Sequence, residues 1–263
     1  MSKTQPYRGT QAVLRAISLL KVFTDSRPEW SLSELSDTVG LNKTTTYRLL
    51  TALESEELLA RHSDTDTYRL GLGIITLGGR ALRAHDLRAL CQPELRALAA
   101  AAQETAALEL LTGTEVLILD EVLGDRVMSG GQAIGTRWPA YATSTGKAML
   151  AAMGDEEATA VLPPAWPALT PNTLADIPTL LADLAQVRTR GYAVADEELE
   201  IGLVAVGAPL LDYDGRVVAA ISLAGPKTRL GDGRIAQIGP LVAAAARRIS
   251  IYLGDVPDME KRD

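Results

Sequence analysis

The sequence predicts an α+β protein, with an N-terminal winged helix-turn-helix followed by a larger domain of antiparallel strands and helices. Three observations carry that prediction. Residues 10–55 hold three short stretches of helical apolar spacing separated by capping and turn residues, and two strand signals around a polar loop follow directly. From residue 106 onward hairpin signals alternate with helices, and most successive strands are joined by turns too short for a parallel crossover. At 263 residues and 47% hydrophobic content the chain has material for two cores.

The first helix begins at Thr10, where Val13, Ala16, Ile17 and Leu20 recur at helical spacing until the pattern stops near residues 25–28. Ser31, followed three residues later by Glu34, makes a capping box for a short second helix over 32–39. Gly40 ends that helix and Asn42 caps a third over 43–55, which completes a helix-turn-helix. Thr46, Leu49, Leu50 and Leu53 form the stripe that docks the third helix. Thr44, Tyr47, Arg48 and Thr51, with Lys43 beside them, form a polar and cationic face suited to a major groove. Strand signals at 58–61 and 67–70 enclose a polar loop and read as a wing. The candidate DNA contacts are Arg8 in the N-terminal arm, Ser31, Asn42, Lys43, Thr44, Thr45, Tyr47, Arg48, Thr51 and Arg61. A charged, Thr-rich face is also what a merely solvated helix carries, so a winged-helix scaffold that contacts only proteins is the alternative.

Residues 72–84 read as a connecting helix, weakened by Gly73, Gly78 and Gly79. The pattern over 87–102 is helical, and Pro93 suggests the start of a new helix within it. Apolar runs at 106–111 and 115–121 form a hairpin, 126–129 is a third strand candidate, and an irregular stretch from Gly130 leads to Thr143. Ser144 or Thr145 can cap a helix over 146–153. Further helices fit 155–161 and 177–190, the second ended by Gly191. Strands are expected at 192–195, 202–211 and 216–224, and a terminal helical stripe from Ile235 to Leu253 carries Pro240 as a kink. The domains are therefore a winged helix-turn-helix over 1–71, a linker helix over 72–86, a sheet domain over 87–254 and a tail over 255–263.

Composition excludes several classes. One cysteine, Cys91, makes no intrachain disulfide, and without a Cys/His cluster no structural zinc site is expected. The start lacks an apolar signal segment and no apolar run is long enough for a bilayer, so a cytoplasmic protein without membrane contact is expected. The net charge of −7 argues at first against a nucleic-acid partner. Its distribution removes the objection. Residues 1–80 hold 10 of the 26 Lys+Arg and 9 of the 33 Asp+Glu, a balance of +1, which leaves 16 against 24 and a balance of −8 for residues 81–263. The acidity belongs to the second domain, and DNA binding would depend on a few placed cations and on dimerisation.

The ordered segments Arg15-Ala-Ile-Ser-Leu-Leu, Ser31-Leu-Ser-Glu-Leu, Gly40-Leu-Asn-Lys-Thr-Thr-Thr-Tyr-Arg-Leu-Leu and Tyr68-Arg-Leu-Gly-Leu-Gly resemble the N-terminal half of IclR-type transcriptional regulators. Tyr141-Ala-Thr-Ser-Thr-Gly-Lys-Ala-Met-Leu-Ala, Arg190-Gly-Tyr, Asp196-Glu-Glu and Ala219-Ala-Ile-Ser-Leu-Ala-Gly-Pro are similar to their effector-binding domain. The resemblance implies a GAF-like antiparallel-sheet domain enclosing a small-molecule site. It also implies a homodimer or homotetramer that represses or activates a catabolic operon. A dimer that places two third helices in successive major grooves favours a palindromic double-stranded operator, and RNA polymerase is a further candidate partner.

The pocket that the resemblance implies maps onto Thr143, Ser144 and Thr145, onto Ala205, and onto Ser222 and Ala224. A helix N-terminus at Ser144 independently suits a carboxylate. Members that sense small keto acids tend to carry polar residues where Ala195, Ala205 and Ala224 stand, so a roomier pocket is expected here. The expected effector is a small organic acid with an apolar or aromatic body near Met128, Gly130, Trp138 and Tyr141. Glu57 stands where the family often has Gly, which puts the turn into the wing in question. An enzyme is the rival class for the second domain, but His62, His85 and Cys91 form no nucleophile-base set. The acidic run Asp196, Glu197, Glu198 and Glu200 reads as a solvated loop. No cofactor and no metal are expected.

Overall fold

Local capping organises the N-terminal residues much as the spacing predicts. In the computed structural model, which describes residues 10–62, 64–84, 86–125 and 133–254, helix α1 spans Gln11–Leu20, β1 Trp30–Ser31, α2 Leu32–Val39 and α3 Lys43–Ser55. The Ser31 hydroxyl accepts the Glu34 amide at 3.4 Å while the Glu34 carboxylate accepts the Ser31 amide at 2.9 Å, so two donors at the start of α2 are satisfied reciprocally. Asn42 Oδ1 accepts the Thr45 amide at 2.8 Å and starts α3. Strands β2 (Leu59–His62) and β3 (Thr67–Leu70) form the expected hairpin, and β1 adds antiparallel to β3, giving the order β1-β3-β2. The two-residue β1 is too short for any periodic signal. Leu19, Leu35, Leu50, Leu53, Leu59, Trp30 and Tyr68 meet in the core. Glu57 holds the left-handed turn before the wing at φ 57, a conformation that Gly adopts more cheaply.

The apolar stripe of α1 departs from expectation. Leu19 is its one buried residue, whereas Val13, Leu14 and Ile17 are exposed. Helix α4 (Leu72–Arg83) likewise buries none of its residues and leaves Leu72, Ile75 and Leu77 exposed. These faces are apolar by sequence, but among the described residues nothing covers them.

The chain divides into two compact units, 1–85 and 86–263. In the second, α5 spans Asp86–Ala102 as one helix with Pro93 inside it, so no new helix begins there. Leu87, Cys91, Leu95 and Leu98 form a buried stripe across the proline, and that packing offsets the missing amide. Strands β4 (Thr105–Thr112), β5 (Glu115–Val122) and β6 (Arg137–Pro139) follow. The three-residue β6 falls in the stretch expected to be irregular, and the strand candidate at 126–129 lies outside the described residues. A single 3-10 turn (Ala140–Ala142) leads into α6 (Ser144–Met153), α7 (Asp155–Val161) and α8 (Ile177–Arg190). Strands β7 (Ala193–Asp196), β8 (Leu203–Leu211) and β9 (Val217–Pro226) precede α9 (Asp232–Tyr252), which runs through Pro240.

The six strands form one antiparallel sheet in the order β6-β5-β4-β9-β8-β7. Strand alternation puts Val204, Val206, Ala208 and Leu210 on one face of β8, and Ala205 and Gly207 on the other, toward α6. A Cβ on Gly207 would lie 2.8 Å from the Ser144 carbonyl carbon, and one on Gly146 would lie 2.1 Å from the Ala140 carbonyl oxygen. Two glycines thus let the start of α6 press against strand and turn, and this close approach sets the position of the site.

Candidate functional site

Helix α3 presents Lys43, Thr44, Tyr47, Arg48 and Thr51 together on its exposed face, while Thr46, Leu50 and Leu53 face the core. Among the described residues, neither Lys43 nor Arg48 has an ion-pair partner, so both charges remain available. The other candidates on this unit already have local work. The side chains of Ser31 and Asn42 cap α2 and α3, and Thr51 donates its hydroxyl to the Tyr47 carbonyl at 3.0 Å. Arg61 Nε donates to Asp66 Oδ1 at 2.6 Å across the wing, with its guanidinium over the Tyr68 ring. Thr45 is half-buried beside the Asn42 cap, and Arg8 lies outside the described residues.

In the second unit a cavity opens at the start of α6. Thr143, Ser144, Thr145, Ala205, Ser222 and Ala224 line it, joined by Ala142, Ala195, Leu199, Leu203 and Glu109. Thr143, not Ser144 or Thr145, caps α6, because its hydroxyl accepts the Gly146 amide at 3.1 Å. That arrangement leaves the amides of Ser144 and Thr145 as the donors the helix start can offer. The cavity volume is about 20 Å³, room for roughly one water molecule rather than the wide pocket that three alanines imply. Small side chains here let the walls approach one another.

Two expected lining residues sit elsewhere. Tyr141 is buried against Trp166, with ring centroids 4.9 Å apart, and its hydroxyl donates to the Pro167 carbonyl. Trp138 packs against the same core cluster, its indole N–H buried without an acceptor among the described residues. Met128 and Gly130 lie outside the described residues.

Sequence reasoning missed two charged residues at this site. Glu109 on β4 is 4% exposed and accepts the Thr145 hydroxyl at 2.6 Å and the Ser222 hydroxyl at 3.4 Å. Burial pushes its carboxyl up to about 7, against the opposing pull of those two hydrogen bonds. The one available signal was a glutamate inside a strand otherwise apolar on both faces. Lys147, one turn into α6, is buried and donates to Glu198 Oε1 at 2.5 Å. It also lies 2.9 Å from Asp183 Oδ2, in an ion pair without hydrogen-bond alignment. The acidic run at 196–198 is therefore not simply solvated, whereas Glu200 is exposed as expected. Glu198 is buried, with its carboxyl raised by that burial, and Asp196 and Glu197 both bind Lys227.

Two family models match the chain. The IclR helix-turn-helix domain matches residues 12–63, and the bacterial transcriptional regulator IclR C-terminal domain matches residues 79–251. The chain belongs to the IclR family. It is accordingly a ligand-responsive, DNA-binding transcriptional regulator of α+β architecture. IclR-family relatives include the HTH-type transcriptional repressor AllR of Escherichia coli K12, 34% identical over 248 residues, which span 94% of this chain and 92% of the relative. The IclR regulator from Alicyclobacillus acidocaldarius superposes with a TM-score of 0.82 at 27% identity, covering 92% of this chain and 98% of that one. An IclR homologue from Microbacterium hydrocarbonoxydans, complexed with 4-hydroxybenzoate, gives a TM-score of 0.77 at 25% identity over the same two fractions. Among the described residues no helix is long and apolar enough to cross a membrane, and no group of three His, Cys, Asp or Glu could hold a metal.

Proposed function

We propose that this regulator is a repressor that binds a palindromic operator as a homodimer and responds to a small organic acid held in the cavity at the start of α6. The observation that carries the DNA half is the exposed face of α3, where Lys43 and Arg48 stand unpaired beside Thr44, Tyr47 and Thr51. The AllR relatives are repressors, which supports that sign of regulation. The exposed apolar residues of α1 and α4 support self-association, and two α3 helices in successive major grooves would then favour a palindrome. Assembly into a tetramer and contact with RNA polymerase are compatible with this reading. A cytoplasmic, non-enzymatic role fits a cavity whose wall, among the described residues, carries neither His nor Cys.

At about 20 Å³ the cavity favours a compact acid of a few heavy atoms, for which its walls must part slightly. The 4-hydroxybenzoate complex of the Microbacterium homologue favours a second reading, an aromatic acid, which would require these walls to part much further. Fluorescence anisotropy of full-length protein on the DNA upstream of its own gene tests the DNA half. Affinity should fall steeply with salt, and Arg48→Ala should weaken binding by about tenfold and reduce the salt slope by about one. A salt-independent interaction, or an Arg48→Ala variant that binds like wild type, would favour the protein-contact scaffold.

A further inference from the structure

Among the described residues, the cavity contains a carboxylate without a cation. Glu109 shares the wall with Thr145 of α6 and Ser222 of β9, whose hydroxyls are its two hydrogen-bond donors. A carboxylate offers about four acceptor positions, so two donors leave it under-supplied, and the Ser222 contact at 3.4 Å is a long one. No other described residue lining the cavity is ionisable. The nearest cation along α6, Lys147, is engaged by Glu198 and Asp183. The features that act on the Glu109 carboxyl are its burial and those two hydroxyls, with no charged neighbour among them.

We propose that Glu109 determines specificity at this cavity, and that the effector is a small acid carrying an amino or hydroxyl group that donates a hydrogen bond to it. The inference rests on reading the cavity as the effector site. An acid without such a donor would bring a second acceptor-only group against Glu109, and the two like charges could share the space only if Glu109 took up a proton. An ammonium group instead supplies the missing cation and forms a charge-assisted hydrogen bond in a water-poor site. A hydroxyl supplies the missing donor. The cavity volume of about 20 Å³, roughly one water, favours the smallest such acids, since every further heavy atom requires the walls to part more.

The pH dependence separates the two classes. With the Glu109 carboxyl near 7, the protonated fraction falls about tenfold between pH 6 and pH 8. Binding of a donor-free acid should weaken by that factor over the interval, whereas binding of an amino acid should hold or strengthen.

The test is calorimetric titration of the full-length protein with matched acids. The three-carbon set is propionate, pyruvate, lactate and alanine, and the two-carbon set is acetate, glycolate and glycine. At pH 8 an amino or hydroxy member should bind wild type at least tenfold more tightly than the donor-free members of its set, the size of one charge-assisted hydrogen bond. In Glu109→Gln the gap should fall below threefold, since the neutral amide can itself donate to a carboxylate. The wild-type pH profile gives a readout that does not depend on the variant folding. Equal affinity for donor-bearing and donor-free members, or a preference that survives in Glu109→Gln, overturns the inference while leaving the cavity as an acid site. If no member of either set binds, the small-acid reading of the cavity fails and the inference falls with it.

Discussion

Replacing Lys147 by methionine removes one cation from a place that holds two carboxylates and almost no water. Lys147 is 1% exposed and Glu198 is 7% exposed, while the Asp183 side chain is 21% exposed and has Arg190 at 3.7 Å as a second partner. Asp183 therefore keeps some compensation in the variant, and Glu198 keeps almost none. Breaking a buried pair by removing one partner costs about 3–5 kcal/mol, chiefly because the remaining charge stays desolvated. In a domain of this size each kcal/mol moves the melting temperature by about 2–4 °C, so Lys147→Met should lower the transition of the second unit by about 6–20 °C. Differential scanning calorimetry of the full-length protein reads this directly. Burial already raises the Glu198 carboxyl with Lys147 in place, and removing the lysine raises it further. Below that raised value Glu198 is neutral, so the deficit of the variant should shrink as pH falls from 8 to 5. The double variant Lys147→Met/Glu198→Gln should recover at least half of the loss. A deficit below about 1 kcal/mol, or one that does not change with pH, would show that the carboxylates do not depend on Lys147.

Two further outcomes test the site. Gly146→Ala would place a methyl group 2.1 Å from the Ala140 carbonyl oxygen, a contact with backbone on both sides, and should cost about 2–3 kcal/mol by urea denaturation; wild-type stability would mean that the turn can yield. Because the native Glu109 carboxyl is raised from 4.5 to about 7, the folded state holds a proton that the unfolded state has already lost, so stability should fall by about 3 kcal/mol as pH rises from 4.5 to 7 and then level off. Glu109→Gln should remove that component from a pH series of unfolding midpoints, and an unchanged pH profile in the variant would contradict the assigned shift.

Much of the N-terminal unit was legible because its determinants are local. The Ser31/Glu34 capping box, the Asn42 cap and the α3 stripe each join residues three or four positions apart, within the reach of one helical turn. The short strands β1 and β6 were not legible, since two or three residues carry no period and each exists only by pairing with a distant partner. Pro93 misled for the opposite reason. Propensity alone ends a helix there, and the buried stripe on either side overrides it. For the cavity, six of the expected residues line it, but Trp138 and Tyr141 turn into the core, because their rings bury more surface against α6 and Trp166 than a small void can offer.

The sequence by itself determined the order of helices and hairpins, the helix starts in the first unit, the outward polar face of α3 and the confinement of negative charge to the second domain. These follow from spacing and composition, which act over a few residues or by simple count. Only the tertiary structure decided which charges are buried and what meets them. Glu109 finds Thr145 at a separation of 36 residues and Ser222 at 113, and Lys147 finds Glu198 at 51. A glutamate in a strand and a lysine in a helix read as solvated until the sheet closes over them, because the cost of removing a charge from water arises only when residues far apart in the chain exclude that water together.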